Sequence, residues 1–258
     1  MRAESPKRRK RKMFDLKKLF QNVSENAVFV LEFLGIIAAL FVIAFLLEKL
    51  AHGKDAKKEA FFSTRKMAVI GILSAMAAVL MLFEIPLFFA PGFYKLDFSE
   101  IPILIGSFAF GPAAGVVMEF IKILLKLVIK GTSTAFVGEL ANFAVGCSFI
   151  IPAATIYHFK KTKKTAIVAC VIGTLILTVF GTSFNALYLL PAFSKLFHMP
   201  LEAILEMGEK VNPLMSKGSL VSFVIVCVAP LNLLKGASVS IVTTFIYKPL
   251  SRFIKAGK

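Results

Sequence analysis

Nine polar side chains fall within or at the ends of the apolar stretches of this 258-residue chain: Glu84, Glu119, Lys122, Lys126, Glu139, Asn142, Asn185, Asn232 and Lys235. An ionisable group at bilayer depth costs about 3 kcal/mol on insertion scales, so each should face protein and have a partner. Glu119, Lys122, Lys126 and Lys130 recur three, four and four residues apart, which sets them on one helical stripe. Glu119 and Lys122 are spaced to pair, and the stripe climbs toward the outer interface, where a lysine can snorkel. Glu139 and Asn142 lie one turn apart in GELANF, Asn185 sits near the outer end of the following helix, and Asn232 and Lys235 share a face in LNLLKG. Taken singly, each asparagine is accounted for by an interhelical hydrogen bond. Taken together, carboxamides and one lysine on three helices supply what a neutral heteroaromatic ligand needs. A carboxamide presents a donor and an acceptor to an imide edge, and Lys235 donates to a carbonyl oxygen. The 27 phenylalanines include enough rings to sandwich a flat ligand, although most must face lipid or core.

The elements that hold these residues are membrane helices. With 57% hydrophobic residues, no tryptophan and a mean hydropathy of +0.79, the chain matches no soluble domain. Seven apolar windows follow, at 27–47, 67–89, 101–110, 113–129, 135–157, 166–190 and 220–247, most of them near the roughly 20 residues a bilayer core requires. The formal charge of +16 is gathered in 2–18, 54–66, 160–164 and 248–258 rather than along one solvated face. Such clusters mark cytoplasmic ends and exclude a nucleic-acid reading. The implied organisation is a basic tail (1–26), an extra hydrophobic helix (27–50), a basic linker (51–66), a six-helix core (67–250) and a basic C-terminal tail (251–258). The fold class is therefore an all-α integral membrane bundle of six helices preceded by one extra N-terminal helix, a multi-pass protein in contact with lipid. Both flanks of the extra helix are basic and ask to be cytoplasmic. It either lies along or re-enters the inner leaflet, or it spans with its amino end outside because the core fixes the topology.

Cys147, Cys170 and Cys227 stand alone in apolar runs, and His52, His158 and His198 are isolated, so no disulfide, metal or cofactor site is expected. The chain has no nucleophile–base pair, DxxD-type or HExxH motif, and no Walker A sequence, which argues against an enzyme and against intrinsic ATP hydrolysis. Pro86, Pro91 and Gly92 are expected to end the first core helix, Ser99 to cap the next, and Gly111-Pro112 to form a tight turn. Uneven helices and elaborate outer loops suggest a pocket opening outward. In the first core helix, Gly71 with Ala75 and Ser74 with Ala78 place small residues four apart, for close approach either within the bundle or to a partner subunit.

The succession KLDFSEIP (95–102), FGPAAGVVMEFIK (110–122), KGTST (130–134), GELANF (138–143), FNALYLLP (184–191) and APLNLLKG (229–236) resembles the riboflavin-specific substrate-binding subunits, or S components, of energy-coupling factor vitamin transporters. The resemblance covers about residues 67–250. It implies capture of riboflavin from outside a bacterial cell membrane, in association with a transmembrane coupling subunit and two ABC-type ATPases. It further implies that Asn185, Asn232 and Lys235 hold the isoalloxazine ring, with Asn142 and the loop Tyr94, Lys95, Leu96 and Asp97 closing around it. Glu139 stands where an amide or small polar residue is usual. The small-residue face of the first core helix, drawn from Gly71, Ser74, Ala75 and Ala78, would meet the coupling subunit. An S component for another vitamin such as thiamine is the nearest alternative, and its cationic ligand would call for more acidic residues than this pocket offers. An intramembrane enzyme and a self-sufficient carrier are more distant ones.

Overall fold

The computed structural model describes residues 27–52, 63–132 and 136–255, with side chains placed for 31–51, 63–132 and 136–246. The basic tail 1–26, most of the linker and the last three residues lie outside the described residues. In lipid a backbone must satisfy its own polar groups, and the apolar runs accordingly fold as helices. In chain order these are α1 (Ala27–His52), α2 (Thr64–Leu82), α3 (Glu100–Phe110), α4 (Pro112–Lys130), α5 (Val137–Phe159), α6 (Lys163–Phe184), α7 (Leu190–Leu196), α8 (Leu201–Val211), α9 (Leu220–Phe223) and α10 (Ala229–Lys255). A single π-turn, Asn185–Leu189, joins α6 to α7, and another, Val224–Val228, joins α9 to α10.

Among the described residues, five stretches are long and apolar enough to cross a membrane: Leu31–Ala51, Thr64–Leu82, Val137–Phe159, Lys163–Leu196 and Leu220–Ile246. α4 is a sixth of similar length whose charged stripe is turned inward, with Glu119 and Lys122 fully buried and Lys126 nearly so. Together with the short α3, these helices make the multi-pass six-helix core and its extra helix. α5 packs on α4 and α6, and α10 packs on α6 and α3. Leu104, Phe149, Ile150 and Leu177 are sealed in the centre. Gly236 lies so close to α6 that an added Cβ would meet Thr174 Cγ2 at 2.7 Å, which is how α10 approaches that helix.

The α3–α4 hairpin turns at Gly111, whose φ of +106° suits glycine, and Pro112 opens α4 where a missing N–H costs nothing. His158 is buried there, with Nε2 3.2 Å from the Ser107 carbonyl. That contact sets the α3–α4 turn at the same end as the basic loop Lys160–Lys164, the inner end by the positive-inside rule. α1 makes contacts at both ends of the bundle. Its Glu48 accepts the Ala113 N–H at 2.9 Å and so caps α4 at the inner end, where a carboxylate also suits the helix dipole. Near its other end, Glu32 accepts a hydrogen bond from Tyr188 in the π-turn beyond α6. With Phe41 edge-on to Phe120 at 6.1 Å and Phe33 and Ala44 buried, α1 packs lengthwise along α4 and α5, with Glu32 beside the π-turn beyond α6 and Glu48 beside the α3–α4 turn.

Two local expectations change. The first core helix ends at Leu82 rather than at the prolines, and Ile85–Pro86 then pairs antiparallel with Lys95–Leu96. Ser99 is itself helical and caps nothing through its side chain, because its hydroxyl is engaged by charged neighbours described below. The outer loops are tied by Asn212, whose Nδ2 donates to Phe89 O at 3.1 Å and Val226 O at 3.3 Å. Val226 O is the carbonyl left without its helical partner by Pro230, so the side chain supplies the bond the proline cannot.

Candidate binding pocket

The polar residues that lipid would reject converge from four elements. Lys235 on α10 places Nζ 3.1 Å from Asp97 Oδ2 and 2.8 Å from Glu100 Oε1. Behind it Lys122 on α4 contacts Glu100 at 2.7 Å and Glu119 at 2.6 Å, and donates to Ser99 Oγ at 3.2 Å. Asp97 also accepts the Ser99 N–H at 2.9 Å and its hydroxyl. The expected Glu119–Lys122 pair is thus one edge of a network that locks α3, α4, α10 and the first outer loop together. Buried pairs of this kind repay their desolvation only when every member is engaged, so removing one partner is costly.

Above the network lies a cavity of about 140 Å³ lined by Phe93, Tyr94, Lys95, Asn142, Asn185, Asn232 and Lys235 among others. Of the nine residues expected at the ligand, Tyr94, Lys95, Asn142, Asn185, Asn232 and Lys235 line this cavity, and three do not. Leu96 is buried away from it. Asp97 acts from behind, on Lys235. Glu139 is fully buried, pairs with Lys126 and accepts from Thr132 Oγ1 at 3.0 Å. That hydroxyl in turn receives the Phe136 N–H at 3.0 Å, so Glu139 anchors the outer turn before α5 instead of facing a ligand.

Each lining carboxamide is held differently. Asn142 Nδ2 donates to Gly138 O at 2.9 Å. Asn185 Nδ2 donates to Gly181 O at 2.8 Å, and its Oδ1 accepts the Tyr94 hydroxyl at 2.7 Å. Among the described residues, Asn232 Nδ2 is buried with no hydrogen-bond partner. A buried unpaired donor costs about 1–3 kcal/mol, and the residue that carries it lines the cavity wall. Lys235 has three N–H groups and two carboxylate partners, which leaves one to donate while its charge is already compensated. The cavity therefore suits a neutral ligand with carbonyl and imide groups and has little use for an anion or a cation.

The aromatic part of the wall comes from the first outer loop and α7. Phe93 stacks on Phe193 at 5.6 Å and 22°, and contacts Tyr94 at 4.7 Å. Burial raises the Tyr94 phenol well above its ordinary range, so it remains a donor to Asn185. The same loop is latched outside the pocket by Glu84, which meets Lys95 at 2.6 Å and Lys130 at 2.8 Å. Partial burial alone would raise the Glu84 carboxyl, but the two lysines outweigh it and hold it below the usual value. Ligand pockets for drug-sized molecules are roughly 300–1,000 Å³.

Sequence periodicity missed the Tyr94–Asn185 bond and both π-turns. A signal was present: each π-turn sits just before a proline, Pro191 or Pro230, where regular helical bonding is interrupted. The turn at Asn185 re-aims that side chain at the cavity. On α2 the small residues separate into two faces. Gly71 and Ala75 are exposed, with open space beside Gly71, whereas Ser74 and Ala78 are buried against the bundle and Ser74 Oγ donates to Ile70 O at 2.7 Å. Of the expected docking residues, only the first pair faces outward.

Residues 65–247 match the family described as "ECF transporter, substrate-specific component". The chain is 31% identical over 192 residues to the riboflavin transporter FmnP of Bacillus subtilis, spanning 74% of this chain and 94% of that one. It is also 31% identical over 191 residues to the riboflavin transporter RibU of Staphylococcus aureus, spanning 74% and 93%. A solved structure described as the S component of a bacterial ECF transporter superposes with a TM-score of 0.58 at 31% identity, covering 74% of this chain and 98% of that one.

Proposed function

Because the chain belongs to the family of ECF transporter substrate-specific components, we propose that it captures riboflavin at the outer face of the membrane and hands it inward with a coupling subunit and two ABC-type ATPases. Transport components of this family are not enzymes. The observation that carries the ligand is the pairing of an unpartnered Asn232 carboxamide with a charge-compensated Lys235 at one cavity wall. An isoalloxazine ring is neutral, flat and edged with carbonyl and imide groups, and these two side chains complement that edge. Asn185 and Asn142 would complete the polar contacts, with Phe93, Tyr94 and Phe193 against the ring faces.

Capture would open and re-close the Phe93–Lys95 loop, with the Glu84 latch and the Tyr94–Asn185 bond favouring the closed form. Docking to the coupling subunit would use Gly71 and Ala75, which are exposed and carry no more than a methyl group, so that another helix can approach the α2 backbone. Glu84, Lys95 and Lys130 would then act on gating rather than on recognition. Thiamine, a cation, would meet Lys235 unfavourably, and 31%-identical relatives are riboflavin transporters. The test is reconstitution in liposomes. Protein alone should bind riboflavin without accumulating it, and accumulation should appear only with a coupling subunit, the two ATPases and ATP. Accumulation by this chain alone would overturn the proposed division of labour.

A further inference from the structure

Two of the pocket carboxamides meet at a single glycine. Gly181 on α6 is buried, and a Cβ built on it would lie 2.6 Å from Asn232 Nδ2, 3.1 Å from Asn232 Cγ and 3.2 Å from Val145 Cγ1. Both Asn232 and Val145 line the cavity. The carbonyl of the same residue accepts Asn185 Nδ2 at 2.8 Å and also receives the Asn185 backbone N–H at the entry to the π-turn. Gly181 thus acts on one ligand-facing amide through its missing side chain and on the other through its carbonyl.

We propose that Gly181 is a positioning residue for flavin recognition, holding the Asn232 and Asn185 carboxamides in their ligand-facing register. The inference rests on the riboflavin reading above. The atom a methyl would strike is the far end of the Asn232 side chain, which can rotate, and not backbone. The helix can therefore accept alanine, and alanine is the better helix former. What gives way is the carboxamide, displaced toward the cavity. An added methyl in a packed site costs the equivalent of about five- to 150-fold in an equilibrium constant, and here that cost falls on ligand affinity.

The experiment is a double-mutant cycle on the full chain in detergent, with Gly181→Ala, Asn232→Ala and the double variant. Riboflavin affinity is read by quenching of flavin fluorescence, and thermal unfolding is followed without ligand. Gly181→Ala should weaken binding about ten- to 100-fold while leaving the ligand-free melting temperature unchanged or higher. In the Asn232→Ala background the methyl enters the space the carboxamide vacated, and Gly181→Ala should then change affinity less than about twofold. Additive losses, unchanged affinity in Gly181→Ala, or collapse of its ligand-free stability would each overturn the assignment. Wild-type protein that binds no riboflavin overturns the ligand reading itself, whereas wild-type binding with an unaffected Gly181→Ala variant overturns only the role of Gly181.

Discussion

Asn232→Ala separates recognition from stability because its donor has no partner among the described residues. In the ligand-free protein Asn232 Nδ2 is buried without a partner, so truncation removes a group that is already unsatisfied. The loss of side-chain contacts is offset by relief of about 1–3 kcal/mol of unpaired-donor cost. Ligand-free stability should accordingly stay level or rise. With riboflavin bound, the same truncation strips an acceptor on the ring of its donor in a water-poor site. The penalty of about 1–3 kcal/mol corresponds to roughly a five- to 150-fold rise in Kd. The assay pairs flavin fluorescence titration with thermal unfolding of the same preparation. A large fall in ligand-free melting temperature, or an unchanged Kd, would refute the reasoning, since either would mean that the carboxamide is a structural bond.

Lys235→Ala should behave differently, losing both binding and stability, because it leaves Asp97 and Glu100 short of their buried partner at a cost of about 3–5 kcal/mol. A stable, non-binding Lys235→Ala protein would contradict the network. Gly71→Leu or Ala75→Leu should preserve binding and abolish uptake with the partner subunits, while Ser74→Leu should lower the melting temperature, because only the first pair faces outward. Cysteine at Ala27 should react with an impermeant maleimide added outside sealed cells and cysteine at His52 should not, as the direction of α1 requires. Glu84→Gln should speed riboflavin release by about two- to 30-fold, since it breaks two exposed pairs that contribute about 0.2–1 kcal/mol each. The Glu84 carboxyl is lowered in the folded protein, so its contribution is complete above its ordinary value of 4.5 and is lost only as pH falls through the lowered value. Release measured from neutral pH down to about 5.5 should consequently show no effect of this group.

The membrane bundle, the helix count and the inward stripe on α4 were legible because apolar length and the expense of buried charge are local properties of sequence. The convergence of Asn185, Asn232 and Lys235 was legible for the same reason: groups that lipid rejects must find one another. Glu139 misled because burial and charge alone do not distinguish a ligand contact from a structural anchor. Its partner, Lys126, belongs by spacing to the α4 stripe, and Thr132, which fixes the outer turn, lies in a loop where spacing predicts nothing. Ser74 and Ala78 were indistinguishable from Gly71 and Ala75 by spacing, because a small-residue pattern does not say which face meets the bundle. The orientation of α1 depended on two tertiary contacts, Glu48 with Ala113 and Glu32 with Tyr188, and the charge on its flanks argued both ways.

The most direct measurement is a titration of the purified chain with riboflavin, following flavin fluorescence and the visible absorption of the washed protein. Saturable quenching at one riboflavin per chain, unaffected by an excess of thiamine, is the predicted result. A colourless protein that leaves riboflavin fluorescence unchanged at every concentration would contradict the assignment of the Asn232 and Lys235 wall to a flavin.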